Sequence, residues 1–258
     1  MRFSVLASGS GGNACYIETQ RARVLIDAGL SCQDVMRRLD HVGVAPESLD
    51  ALLITHEHID HIRGAGPLAR RLDLPVYGNA STLRKSLRVL GSISRPVTIY
   101  TGQSIAIHDL LIETFPKCHD AADPIGIVTS SGGVRMGLMT DLGRSTGVVA
   151  ERLKGCHALV IEFNHDEKML EQGPYPLELK RRIKGPDGHL SNKQAAALLM
   201  DVGDHDLNYV VLAHLSEINN TPEKAMTAVN RALLSRGLDG TKVLISHQDL
   251  PLPMIEMG

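Results

Sequence analysis

The stretch LLITHEHIDHIRG sets three histidines (His56, His58, His61) and two acids (Glu57, Asp60) into six residues, directly after an apolar run. A run that is continuously apolar rather than alternating reads as a strand buried on both faces, so the fold must deliver this polar cluster to the end of an interior strand. Residues two apart point the same way in an extended or tightly turned segment, and His56 and His58 can therefore reach one cation. Asp60 and His61 follow on the turn and can serve a second cation about 3.5 to 4 Å away, the separation used by two-metal hydrolases. A polar loop with a capping Asp is the plain alternative, against which the density of H-x-H-x-D-H argues.

A binuclear site needs further ligands. Three candidates sit at or just beyond expected strands: His119 in FPKCHDAADP, Asp141 in GLMTDLG and His214 in VLAHLSE. Taken singly, a histidine is more often a surface or core residue, and Asp before Leu-Gly is an ordinary turn former; following the first motif in this order, they read as ligands.

The framework is legible from punctuation and period. RFSVLAS, ACYIET and ARVLIDAG read as a strand meander, and SCQDVMRRLDHVGV as a helix with a Ser cap ending near Gly43. Helical patterns return in GPLARRLDL and STLRKSLRVLG, and strands in SIAIHDLLIETF, IGIVTSS, VRMGLMTD, HALVIEF and NYVVLAH. SNKQAAALLMDVG and TPEKAMTAVNRALLSRG are capped helices, the latter with Pro at its first position. The expectation is an α/β (α+β) chain, two sheets face to face with helices outside, in one domain over residues 1–258 with no linker.

Composition bounds the rest. With no Trp, three Phe and five Tyr in 258 residues, the core must be mainly aliphatic. A net charge of −2 advertises no global basic field. Four cysteines without a C-x-x-C pair, and an N-terminus lacking the apolar core of a signal peptide, point to a cytoplasmic protein. No apolar run approaches the roughly 18 residues needed to span a bilayer, so no integral membrane segment is expected.

Asp27 in VLIDAG, the H-x-H-x-D-H block, His119, Asp141 and His214 together resemble the five successive motifs of the metallo-β-lactamase superfamily, over nearly the whole chain. That resemblance implies an αββα four-layer sandwich with a di-metal site along one edge. It implies His56, His58 and His119 on one metal, Asp60, His61 and His214 on the other, Asp141 bridging, and Asp27 orienting the motif loop from behind. Exported lactamases fit less well, several having Cys where this chain has Asp141. GHLSNKQAA and VVLAHLS resemble segments of the tRNA 3′-processing nuclease tRNase Z, and LVIEFNHD sits where that family has HEATF. GSGGN, HDAADPIG, EFNHD, GHLSN and HLSEINN are similar to segments of the bacterial YycJ/WalJ family of small nucleases. The large helical insertion of the β-CASP nucleases such as RNase J is absent.

By the same resemblance the chain is a di-metal phosphodiesterase, a nuclease of 5′-to-3′ exonuclease type acting on DNA, with two divalent ions (Zn or Mn), a hydroxide between them as nucleophile and nucleic acid as partner. Asp60, Glu162 and His189 carry the catalytic roles; His189 matches the tRNase Z histidine that, with a glutamate, protonates the leaving group, and a buried histidine near a helix cap is the plain alternative. A small-molecule (cyclic or sugar) phosphodiesterase and a glyoxalase II-type thioester hydrolase are the rival functions.

Other features admit two readings. SGSGGNA is neither a dinucleotide fingerprint nor a P-loop; it reads as a tight turn, with phosphate contact through Ser10 the alternative. Asn164 and His165 lie near Glu162 in sequence and are candidates for the substrate pocket. From Arg63 to Arg95 seven basic residues face one acid, Asp73. That run, with Arg84, Lys85 and Arg88 at its centre, is either a solvated helix face or a patch that tracks a nucleic-acid backbone. Cys118 reads as a neutral thiol beside His119 rather than a soft ligand.

Overall fold

The computed structural model describes all 258 residues. It opens with the expected antiparallel meander of β1 (Arg2–Ala7), β2 (Ala14–Glu18) and β3 (Arg23–Ile26). Helix α1 (Cys32–His41), capped by Ser31, leads to β4 (Ala51–Leu53), which pairs in parallel with β3. The short α2 (Ile59–Ile62) and α3 (Ala65–Leu72) lead to β5 (Val76–Asn79), and α4 (Ala80–Leu90) to β6 (Pro96–Ile99), both strands adding in parallel.

A second sheet begins with the antiparallel ladder β7 (Ser104–Ile107), β8 (Leu110–Pro116), β9 (Ile125–Ser131) and β10 (Val134–Met139). It continues in parallel through β11 (Ala158–Glu162), β12 (Tyr209–Ala213) and β13 (Lys242–Ile245). Helix α5 (Gly147–Leu153) precedes β11; α6 (Glu167–Gln172), α7 (Leu177–Lys184) and α8 (Asn192–Val202) precede β12; and α9 (Pro222–Ser235) precedes β13. The last strand, β14 (Ile255–Glu256), returns to the first sheet beside β1, giving orders β14-β1-β2-β3-β4-β5-β6 and β13-β12-β11-β10-β9-β8-β7.

Side-chain alternation turns these sheets into four layers. Val24 and Ile26 of β3, Leu53 of β4, Val160 of β11 and Val211 of β12 share one aliphatic core between the sheets. Their neighbours point the other way: Leu25 and Leu52 pack with Val35, Leu39 and Leu68 of α1 and α3, while Leu159, Ile161 and Leu212 pack with Leu198, Leu199, Val229 and Leu233 of α8 and α9. Helices on both outer faces explain why these central strands read as unbroken apolar runs. The caps behave as read: Ser191 and Gln194 form a reciprocal capping box on α8, and Thr221 accepts from Lys224 N–H on α9.

Strand direction creates the edge. The ends of β1, β3, β4, β8, β10, β11 and β12 and the start of β2 gather there, so the loops after seven strands converge on one rim. Strands β5, β6, β13 and β14, of four residues or fewer, and helices α2, α5, α6 and α7 have no counterpart in the sequence reading, which places Asp60 and His61 of α2 on a turn. The four strands are too short to show a period, and α7 buries no residue and so carries no core-facing stripe. No helix is long and apolar enough to cross a membrane.

Leu53, fully buried in a central strand, spans the inter-sheet core. Leu53→Ala should destabilise the protein by about 2–5 kcal/mol, read from the midpoint of denaturant unfolding at unchanged slope.

Candidate functional site

The rim is built on backbone geometry that most side chains avoid. Five non-glycine residues have positive φ, and three of them, Asp27 (59°), Asp141 (56°) and His214 (54°), stand one or two residues past β3, β10 and β12. The left-handed turn at each strand end aims its side chain at a common centre, at a cost of about 1–3 kcal/mol apiece. The motif loop approaches the turn after β3 so closely that a Cβ on Gly29 would meet the Asp60 carbonyl oxygen at 1.6 Å. Only glycine permits the two bonds that lock this crossing, Asn13 N–H to Asp60 O (2.7 Å) and Gly29 N–H to Asn13 O (2.9 Å).

Asp27 braces the motif from beneath. Its Oδ1 accepts Thr55 N–H at 2.8 Å, and its Oδ2 accepts the Thr55 hydroxyl at 2.7 Å and lies 2.7 Å from His61 Nδ1. A carboxylate only accepts, so Nδ1 of His61 carries a proton and Nε2 is left facing Asp141 Oδ2, 3.0 Å away. Asp141 Oδ1 lies 3.1 Å from His214 Nδ1, so one carboxylate touches both imidazoles.

Three groups of side chains have potential ligand atoms mutually within 4.8 Å: His56, His58 and His119; His56, His61 and Asp141; and Asp141, Glu162, His189 and His214. The first is the trio expected for one cation. Of the residues expected around the second cation, His61 groups with His56 and Asp141, and His214 with Asp141, Glu162 and His189, while Asp60 stands at the rim, its Oδ2 3.5 Å from His61 Nε2. The physical reason for the His214 grouping is Glu162, a fully buried carboxylate whose Oε1 lies 2.9 Å from His214 Nδ1 and 2.8 Å from His189 Nδ1. Its Oε2 accepts the N–H groups of Leu142 and Leu190, both at 3.0 Å.

The donor set fits a divalent cation. His56 Nε2 and His214 Nε2 are buried with no hydrogen-bond partner, and Asp141 Oδ2 has none beyond its 3.0 Å contact with His61 Nε2, a condition that inward-facing ligand atoms satisfy on metal binding. Burial pushes His56 well below its ordinary range, reinforced by the charge on His61, and pushes His119 down to about 4 against the pull of Asp141. Both imidazoles are therefore neutral, the form that ligates. Burial would also lower His61 and His214, but Asp141 and Asp27 raise His61 to about 10, and Asp141 with Glu162 holds His214 well above its usual range. Asp141, despite burial, is kept well below the carboxylate range by His214 and His61.

The remaining candidates separate. Ser10 and Asn164 line a cleft of about 250 Å³ beside His189. His165 does not: it is 2% exposed, bridges to Ser191 and lies 3.3 Å from Asn164 Oδ1, and burial drops it to about 4. It packs behind the wall instead of lining it. Arg84, Lys85 and Arg88 are exposed on α4, with Lys85 Nζ 3.9 Å from Glu57 Oε1 of the motif. Cys118 Sγ accepts from Arg144 Nε at 3.3 Å and belongs to none of the three groups.

Two site residues escaped sequence reasoning. Asn13 Nδ2 lies 3.2 Å from Asp60 Oδ2 and 3.1 Å from His61 Nε2, tying the GSGGN turn to the motif. Lys117 is buried, its ammonium donating to Thr140 O at 2.6 Å beside the Asp141 turn; burial lowers its pKa while Asp141 and Asp27 oppose that. Its signal was present: it precedes His119 by two positions at the end of β8, the spacing that shares a face.

Residues 22–215 match the beta-lactamase superfamily domain. The chain is 37% identical to exodeoxyribonuclease YycJ of Bacillus anthracis, over 97% of this chain and 96% of that protein. It is 36% identical to exodeoxyribonuclease WalJ of Streptococcus pneumoniae, over 99% and 98%. The chain belongs to the YycJ/WalJ family of the beta-lactamase superfamily. The metallo-beta-lactamase fold protein YhfI from Bacillus subtilis shares the architecture, with a TM-score of 0.73 over 97% of this chain and 98% of that one at 16% identity. The convergence of histidines and carboxylates agrees with membership of this superfamily, whose fold typically binds divalent metals.

Asp27→Asn would keep shape but lose the charge that holds His61 and Thr55. Metal affinity, measured by competition with a chromophoric chelator, should fall about 10- to 100-fold.

Proposed function

We propose that the chain is a cytoplasmic, metal-dependent phosphodiesterase that degrades DNA from the 5′ end, working as one domain to which both sheets contribute ligands. The observation that carries the proposal is the union of two devices on one rim. Buried, unpartnered His56 Nε2 and His214 Nε2 converge with the Asp141 carboxylate beside a Glu162–His189 pair held at 2.8 Å. Two divalent ions, Zn²⁺ or Mn²⁺, would be held by His56, His58 and His119, by Asp60, His61 and His214, and by Asp141 between them. When bound, they supply Lewis acidity toward the phosphate and an acidified water.

The chain's own groups do the rest. Asp60, its Oδ2 taking Asn13 Nδ2 at 3.2 Å, orients the attacking water. Glu162, kept ionised in spite of burial by His189, holds Nδ1 of that histidine and leaves Nε2 free to protonate the departing 3′-oxygen. The exposed cations of α4 track the phosphate backbone next to the motif. The name exodeoxyribonuclease borne by YycJ and WalJ supports DNA as the substrate and exonucleolytic action.

Incubating Zn²⁺- or Mn²⁺-loaded protein with 5′- and 3′-labelled single- and double-stranded DNA and RNA tests the proposal; inertness toward all of them, with bis-p-nitrophenyl phosphate still cleaved, would end it. His189→Ala should keep its metals yet lose about 10²- to 10⁴-fold on DNA, and far less on the activated p-nitrophenyl ester, whose leaving group departs without a proton. Equal loss on both substrates would show that His189 does not donate the proton. Changing Arg84, Lys85 and Arg88 together to Glu should weaken DNA binding and flatten its salt dependence, leaving small-ester hydrolysis nearly intact.

A further inference from the structure

The cleft beside His189 is lined by two kinds of side chain. One is polar, comprising His189, Ser10, Asn164, Ser216 and the Asp120–Arg182 pair. The other is apolar: Leu179 and Ile183, one turn apart on α7, continue a line begun by Tyr175. Since α7 buries no residue, this face is not consumed by the core. The cleft's only lysine or arginine is Arg182, whose Nε donates to Asp120 Oδ2 at 2.6 Å.

Tyr175 is mounted rigidly. It stands between Pro174 and Pro176, which fix φ on either side and confine Tyr175 to extended backbone. Helix α7 is fastened through its middle and C-terminal end, by Lys180 Nζ to the Glu171 carbonyl at 2.8 Å, Arg182 to Asp120, and Lys184 Nζ to Glu171 Oε1 at 2.6 Å. Aromatic rings are scarce in this chain, with three Phe, five Tyr and no Trp. Phe3, Phe115, Phe163 and Tyr16 are spent in the core, and Tyr175 is the one Phe or Tyr ring lining the cleft.

We propose that this cleft is a nucleobase subsite in which the terminal nucleoside of a single strand stacks its base on Tyr175, against Leu179 and Ile183. The proposal rests on the nuclease reading above. A base offers two apolar faces and a polar edge, which match the apolar and polar side chains of the lining. A free phosphate would need unpaired cations, and Arg182 is already paired. The sugar then lies toward His189, so the 3′-oxygen that departs belongs to the nucleoside in the cleft. The space, about 250 Å³, suits one nucleoside and not a stacked run, which ties the subsite to removal of a single terminal residue.

The test compares two 5′-phosphorylated single-stranded DNAs, one normal and one with an abasic tetrahydrofuran as its first residue. Wild-type protein should favour the normal end by roughly 5- to 150-fold in kcat/KM, the contribution of one stacked base, chiefly through KM. Binding of the two ends by metal-free protein, read by fluorescence anisotropy, should show the same preference. Tyr175→Phe should keep the preference and Tyr175→Ala should bring the ratio near one; a ratio taken within one protein does not depend on its folded fraction. Equal handling of both ends by the wild type overturns the subsite alone. An Ala variant that keeps the preference overturns it as well, as does a Phe variant that loses it. Failure of the wild type to cleave either end overturns the nuclease reading together with the subsite.

Discussion

Asp27, Asp141 and Glu162 are three carboxylates withdrawn almost wholly from water at one rim shared by the two sheets. Burying such charges costs several kcal/mol each unless positive charge stands in contact. Imidazoles provide it in a chain: His61 between Asp27 and Asp141, His214 between Asp141 and Glu162, and His189 on Glu162. Protonated imidazole and a divalent cation are interchangeable answers to the same electrostatic demand. The pocket that keeps His61 and His214 protonated is therefore the one that favours a metal. Removing a carboxylate would leave imidazoles unpaired, and removing an imidazole would leave a carboxylate unpaired, so the ring tolerates substitution poorly at any member.

That demand dictates backbone as well as side chains. A side chain on a regular strand points to one face or the other of the sheet, into the aliphatic core or under the helices. Pointing along the strand, beyond its end, requires the turn that Asp27, Asp141 and His214 make at positive φ. The energy for these turns comes from the layers beneath: two sheets and two helical faces packed with Val, Leu and Ile hold strand ends that would relax if isolated. Gly29 serves the same end, because the motif loop and the GSGGN turn can share hydrogen bonds only where no Cβ intervenes.

This division explains what could be read from the sequence. The layers were legible because β3, β4, β11 and β12 are apolar on both faces and the major helices carry their own caps. His56, His58, His119 and Asp141 were legible because their spacing follows known motifs at strand ends. Asn13 was not, since it works only when the start of β2 is set beside the motif loop, and no local pattern encodes that adjacency; Lys117, two positions before His119, carried a spacing signal that was passed over. The sequence neighbourhood of His165 suggested a pocket, but it lies one residue beyond Asn164, and the bridge to Ser191 turns it away from the cavity. Tyr175 was silent for a related reason: α7 packs nothing into the core, so no periodicity drew attention to the segment.

The basic segment shows how placement revises a charge count. Of the seven cations between Arg63 and Arg95, three have guanidinium groups committed to backbone carbonyls: Arg63 to Gly11, Arg70 to Leu90 and Ser92, and Arg95 to Asp73. They keep their charge but staple loops, which leaves four exposed cations without such a bond, Arg71 on α3 and Arg84, Lys85 and Arg88 on α4, with Lys85 reaching Glu57 of the motif at 3.9 Å. Helix α4 flanks the first sheet, whereas the Tyr175 cleft belongs to the segment between β11 and β12 of the second. On the proposed function, a strand held by phosphates along α4 and ending in the cleft must cross the histidine rim between them. The scissile phosphate then lies one nucleoside from the end held in the cleft.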